Sequence, residues 1–65
     1  MKLLVNGETT ESRAETLAAL LAALDYGEAK VATAVNGDFV PAGERAGRRL
    51  ADGDAVEILA PMQGG

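Results

Sequence analysis

One leucine stripe decides what this 65-residue chain can build. Leu17, Leu20, Leu21 and Leu24 fall at i, i+3, i+4 and i+7, a single apolar face on a 3.6-residue period. Ala18, Ala19, Ala22 and Ala23 fill the remaining positions with strong helix formers of little bulk. The spacing predicts one amphipathic helix over about Glu15 to Asp25. Two starts are open: Ser12 with Glu15 fits a capping box, and Thr16 is a second N-cap just before the stripe. Gly27 is the expected C-terminal stop.

The flanking segments carry strand and turn signals. Lys2-Leu3-Leu4-Val5 reads as a strand, and Asn6-Gly7 is a preferred type I′ pair because both central residues need a positive φ. A more polar strand, about Glu8 to Ser12, returns antiparallel and suits a sheet edge. After the helix, a strand over about Lys30 to Val35 meets a second Asn-Gly at Asn36-Gly37. A short strand at Phe39-Val40 then ends where Pro41 withdraws a backbone donor. Residues Ala42 to Ala51 are irregular or a single turn, and Asp52-Gly53-Asp54 is a tight turn into a last strand, Ala55 to Ala60. One helix across one face of a mixed sheet is the layer solution for this order, with the first and last strands adjacent and parallel at the centre.

Composition narrows the function. Thirteen residues are Ala, so the core rests on large side chains such as Leu3, Val5, Leu17, Leu20, Leu21, Leu24, Phe39, Leu50, Val56 and Ile58. A domain of this size buries only about 60% of its unfolded surface and has no room for a deep enzyme cleft. The chain contains no Cys and no His. It therefore lacks disulfides, a thiolate nucleophile, the commonest general base and the commonest metal ligands. Independent catalysis is not expected, and neither is a metal site. The net charge of −4 argues against nucleic acid and anionic membrane surfaces and favours a partner with a basic face. The longest apolar run, Leu17 to Leu24, is far too short to span a bilayer. It follows no basic n-region or small-residue cleavage site, so a cytoplasmic protein is expected.

The chain ends in Gly64-Gly65, the form a terminal carboxylate takes when another enzyme must thread it into a narrow site. Neither glycine has a Cβ to restrict φ and ψ or to widen the chain. The sequence divides into a body, residues 1–60, and a flexible tail, residues 61–65. From Leu59 to Gly65 an extended chain reaches roughly 20 Å at about 3.3 to 3.6 Å per residue. Met62, Gln63 and Gly64 would line the partner's channel, and Gly65 would carry the reacting carboxylate. Ordering such a tail costs about 1 to 2 kcal/mol per fixed residue, so affinity must come from the body.

Strand parity nominates where the body binds. With Val56 and Ile58 facing the helix, alternation turns Leu59 outward; with Leu3 and Val5 inward, Leu4 points outward on the neighbouring strand. Leu4 and Leu59 thus form a candidate partner patch on the open sheet face, close to the tail. Ala32 and Ala34 blur the alternation of the third strand and leave open which of Val31, Thr33 and Val35 joins that face. Arg45, Arg48 and Arg49 read as a solvated face more readily than as a dock for an acidic partner. Asp52 and Asp54 read as turn residues, since no further oxygen ligands are placed beside them.

Three stretches in this order carry a resemblance: Val31-Ala-Thr-Ala-Val-Asn-Gly-Asp-Phe-Val-Pro41, Leu50-Ala-Asp-Gly-Asp-Ala-Val-Glu-Ile58 and Gly64-Gly65. With them the chain resembles, over essentially its whole length, the β-grasp, ubiquitin-like sulfur carriers, and among them the ThiS type of thiazole (thiamin) biosynthesis. The resemblance implies an α+β fold of about five strands with one main helix on one face. It implies no bound cofactor: a ubiquitin-activating-enzyme-like adenylyltransferase would use ATP to make the Gly65 acyl-adenylate. A sulfur donor such as a cysteine desulfurase would then supply sulfur in exchange for AMP. The resulting covalent C-terminal thiocarboxylate would pass its sulfur to thiazole synthase, which explains how a sulfur-handling chain can lack Cys. The small subunit of molybdopterin synthase shares the fold and the thiocarboxylate but is usually longer. A ubiquitin-like modifier, attached to a target Lys through Gly65, is an alternative of a different class, and a β-grasp interaction module with an inert tail is a third.

Overall fold

A computed structural model describes residues 1–26 and 30–60. Lys2–Val5 (β1) and Glu8–Glu11 (β2) form the first hairpin, followed by the helix Leu17–Ala23 (α1). Ala32–Val35 (β3) and Asp38–Val40 (β4) form the second hairpin. A 3-10 helix, Ala42–Gly47, leads to the last strand, Ala55–Leu59 (β5). The sheet order is β2-β1-β5-β3-β4, with β1 and β5 parallel and every other pair antiparallel. The last strand therefore sits at the centre beside the first, as the element order predicts. This is the β-grasp arrangement.

Both Asn-Gly pairs adopt the expected turn, with φ of 52° at Asn6 and Asn36 and of 84° and 85° at the glycines that follow. The helix is shorter than its periodicity predicts, and its caps decide where it stops. Thr16 is the N-cap, its Oγ1 accepting from the Ala19 N–H at 3.2 Å. The Ser12–Glu15 box does not form: Ser12 Oγ accepts from the Ala14 N–H, and the Glu15 carboxylate reaches Arg49 instead. At the other end Asp25 takes a left-handed φ of 68°, the Asp25 N–H donates to the Ala22 carbonyl and the Tyr26 N–H to the Leu21 carbonyl. That pair of bonds is a Schellman termination with Asp25 in the place a glycine usually holds. Gly27, the stop expected from sequence, lies outside the described residues.

Leu17, Leu20 and Leu21 of α1 pack on Leu3, Val35, Val40, Leu50, Val56 and Ile58, all buried. Thr33 is buried among them and donates its hydroxyl to the Val40 carbonyl at 2.8 Å. The third strand thus turns Thr33 and Val35 inward, with Val31 packed against the core and Ala32 and Ala34 on the other face. Val5 and Leu24 are only partly buried against the core. Phe39, expected inside, is 69% exposed. In a three-residue strand only one parity is available, and Val40 takes the inward position, which forces Phe39 out.

Leu50 enters the core because the chain after the 3-10 helix runs antiparallel to the start of α1. The Leu17 N–H donates to the Arg48 carbonyl and the Leu50 N–H to the Glu15 carbonyl, each at 2.9 Å. Among the described residues no helix is long and apolar enough to cross a membrane.

Candidate functional site

Among the described residues nothing covers the face of the sheet opposite α1, and strand register fixes what stands on it. Leu4 is level with Ala55 on β5 and with Thr9 on β2. Further along, Phe39, Ala34 and Glu57 make one row across β4, β3 and β5. Ala32 and Leu59 make the next. Leu4 is 42% exposed and Leu59 69% exposed. Both stand outside the core, where strand parity puts them.

The structure does not bring these two leucines together. Leu59 is four residues beyond Ala55 on the same strand, about 13 Å at 3.3 Å per residue. Leu4 therefore marks the end of β5 remote from the chain terminus, and Leu59 the near end. The apolar companions of Leu59 are Ala32 beside it and, across Ala34, the exposed ring of Phe39. Phe39 is the residue that sequence reasoning missed on this face. The available signal was the parity of Phe39 and Val40 in a strand cut short by Pro41.

The three arginines separate in the fold. Arg45 is tied down: its Nε donates to Thr33 Oγ1 at 2.9 Å and its Nη2 to the Val31 carbonyl. It links the 3-10 helix to β3 and is no part of a solvated face. Arg49 pairs with Glu15 at 3.1 Å, both side chains largely in water, a contact worth little. Arg48 is half-buried, and its Nε lacks a partner among the described residues.

Asp52 and Asp54 serve the turn that launches β5. Asp52 Oδ1 accepts from the Lys2 N–H at 2.6 Å, and Asp54 Oδ2 from the Ala51 N–H at 2.9 Å. The Asn36 carboxamide donates to Asp54 Oδ1 at 3.0 Å. That bond, then the Ala51 N–H, holds the Asp54 carboxyl below the usual carboxylate range. Among the described residues no group of three or more His, Cys, Asp or Glu could hold a metal ion. Met62, Gln63, Gly64 and Gly65 lie outside the described residues; the described chain ends at Ala60, one residue past β5.

Residues 3–65 match the ThiS family. The chain belongs to that family. Among solved structures, the crystal structure of the thiamine biosynthesis protein ThiS from Geobacter metallireducens is 36% identical, with a TM-score of 0.83 over 100% of both chains. The solution structure of a thiamine biosynthesis protein from the same organism is also 36% identical. It has a TM-score of 0.81 over 100% of this chain and 88% of the other. The search among curated proteins found no match. The ThiS family match runs over the β-grasp body and through the terminal Gly64-Gly65, so body and C-terminus belong to one pattern.

Proposed function

We propose that this chain is a sulfur carrier of thiamine biosynthesis, a protein co-substrate with no catalysis of its own. The observation that carries the reading is the family match reaching Gly65. The Gly65 carboxylate is a poor electrophile, so an adenylyltransferase partner resembling ubiquitin-activating enzymes must first activate it. A carboxylate oxygen attacks the α-phosphorus of ATP and pyrophosphate leaves, giving the acyl-adenylate. Sulfide then displaces AMP at the acyl carbon and yields the thiocarboxylate directly. A persulfide donor, such as one loaded by a cysteine desulfurase, leaves an acyl disulfide that a thiol reduces to the same product. The thiocarboxylate is a softer and better nucleophile than the carboxylate and passes its sulfur to the thiazole ring on thiazole synthase.

In this reading residues 1–60 are the body that the partner grips and residues 61–65 the tail that enters its site, with Met62, Gln63 and Gly64 in the channel. Leu59, Ala32, Ala34 and Phe39 supply apolar surface at the end of β5 nearest the tail, and Leu4 supplies a second contact at the far end. Glu57, exposed between the two, and the net charge of −4 suit a basic partner surface. The working compartment is the cytoplasm.

Removing Gly65 tests the reading. The reacting carboxylate moves back by about 3.5 Å, and misplacement by about 1 Å already costs roughly a hundredfold in rate. ATP–pyrophosphate exchange by the activating enzyme should vanish with a folded chain ending at Gly64. Undiminished exchange with that chain contradicts it.

A further inference from the structure

The parallel pairing of β1 with β5 stops early, because the chain turns away from β5 at Asn6-Gly7. The Leu4 N–H donates to the Asp54 carbonyl and the Asn6 N–H to the Val56 carbonyl, and a further rung would need backbone that the hairpin has carried off. The Asn6 side chain supplies that rung. Its Oδ1 accepts from the Ile58 N–H at 2.8 Å, and its Nδ2 donates to the Ile58 carbonyl at 3.1 Å. A carboxamide has the donor and acceptor of a peptide group, so both polar groups of Ile58 are satisfied by a side chain 52 residues away in sequence.

The other hairpin turn does the same at the opposite end of the strand. The Asn36 N–H donates to the Ala55 carbonyl at 2.7 Å, and its Oδ1 accepts from the Ala55 N–H at 3.0 Å. Both asparagines hold a left-handed φ of 52°. The two turns thus clamp the last strand, Asn36 where it begins and Asn6 where it ends.

From this difference in place we infer that Asn6 is a positioning residue for activation of the C-terminus, whereas Asn36 only holds the fold together. The inference rests on the sulfur-carrier reading. Without the Asn6 carboxamide both polar groups of Ile58 lose their partner, and Leu59 is paired on the β3 side alone, as at a sheet edge. Each residue that must be ordered again when the terminus is seated lowers the seated fraction by about tenfold. Leu59 keeps its place opposite Ala32 on β3, and Leu4 and Phe39 are untouched, so in the docking proposed above the body still binds and the loss falls on the step after docking.

The experiment compares Asn6→Gly with Asn36→Gly in the full chain. Gly keeps the positive φ that each turn requires and deletes only the carboxamide. The readouts are steady-state ATP–pyrophosphate exchange by the activating enzyme and amide hydrogen exchange of the free protein. Asn6→Gly should lower kcat by about tenfold or more, with KM for the carrier changed by less than about threefold, and should speed exchange at Ile58 and Leu59. Asn36→Gly should speed exchange at Ala55 and leave kcat within about twofold. Should Asn6→Gly fail to fold, Asn6→Asp replaces it: the carboxylate still accepts from the Ile58 N–H but sets an oxygen against the Ile58 carbonyl, and kcat should fall part of the way. Equal loss in the Asn6 and Asn36 variants, or wild-type kcat with the Ile58 amide released, overturns the assignment. Absence of exchange with the unaltered chain would instead count against the carrier reading itself.

Discussion

The two faces of the sheet are built from alternate residues of the same strands and have opposite characters. Toward α1 stand Leu3, Thr33, Val35, Val40, Val56 and Ile58, all buried. Away from it stand Leu4, Ala32, Ala34, Phe39, Glu57 and Leu59, of which Leu4, Phe39 and Leu59 are large, apolar and exposed. A phenylalanine and two leucines exposed on one sheet face, with a charged residue among them, make that face the candidate contact surface of the body. The covered face supplies stability, and the open face is available for a partner. One period-2 pattern encodes both.

That division predicts a sharp asymmetry in mutational cost. The largest effect belongs to the covered face. Leu20 is fully buried, and Leu20→Ala should cost about 2 to 5 kcal/mol of unfolding free energy through lost transfer energy and the cavity left behind. For a domain this small that is a large share of total stability. Urea unfolding of Leu20→Ala measures it, and a loss below about 1 kcal/mol would mean that the helix-facing side is not the stabilising one.

The open face should respond the other way round. If the open face docks on the activating enzyme as proposed, Leu59→Asp puts a charge into that contact, and affinity should fall by about a hundredfold, close to 2.7 kcal/mol. Unfolding free energy should move by less than about 1 kcal/mol, since the site is already in water. Titration calorimetry and urea unfolding on one protein sample give both numbers. Unchanged affinity removes Leu59 from the docking surface. The same substitution at Leu4, about 13 Å away along β5, shows whether the partner covers the whole face or only the end near the tail.

The smallest effect concerns the rim where β5 begins. The Asn36 carboxamide and the Ala51 N–H hold Asp54 below the usual carboxylate range. Its folded pKa is thus lower than that of the unfolded chain. The stabilisation is fully present above that unfolded value and is lost as pH falls through the lower folded one. Asn36→Gly removes the larger cause and should raise the Asp54 titration midpoint toward its ordinary value, followed by the carboxyl carbon chemical shift. A midpoint that does not move would show that the Asn36 contact contributes nothing to the rim.

Much of the body was legible because its signals are local. The leucine stripe, the two Asn-Gly turns and the parity of Leu3 against Leu4 and of Val56 and Ile58 against Leu59 each follow from a few consecutive residues. What escaped depends on partners remote in sequence or on weak alternation. Ala32 and Ala34 are too small to declare a face, so the direction of Thr33 became visible only from its bonds to Val40 and Arg45. Phe39 has the hydrophobicity of a core residue and was displaced by the parity of Val40. Arg45 looked solvated because the groups it binds lie 12 and 14 residues upstream. The helix ended on Asp25 rather than on a glycine because a Schellman turn tolerates a left-handed Asp. Asn6 read as a turn residue and nothing more, since its second role spans 52 residues. On the open face, alternation identified Leu4 and Leu59, but only the register of β1 against β5 showed that they occupy opposite ends.

The most direct test of the sulfur-carrier reading is the intact mass of the full-length chain after incubation with its activating enzyme, ATP and a sulfide or persulfide source. The expected result is an ATP-dependent increase equal to the exchange of one oxygen for one sulfur, located on Gly65 by fragmentation and absent from a chain that ends at Gly64. A mass unchanged in the presence of all components, or a chain found joined through Gly65 to lysines of other proteins, would contradict it.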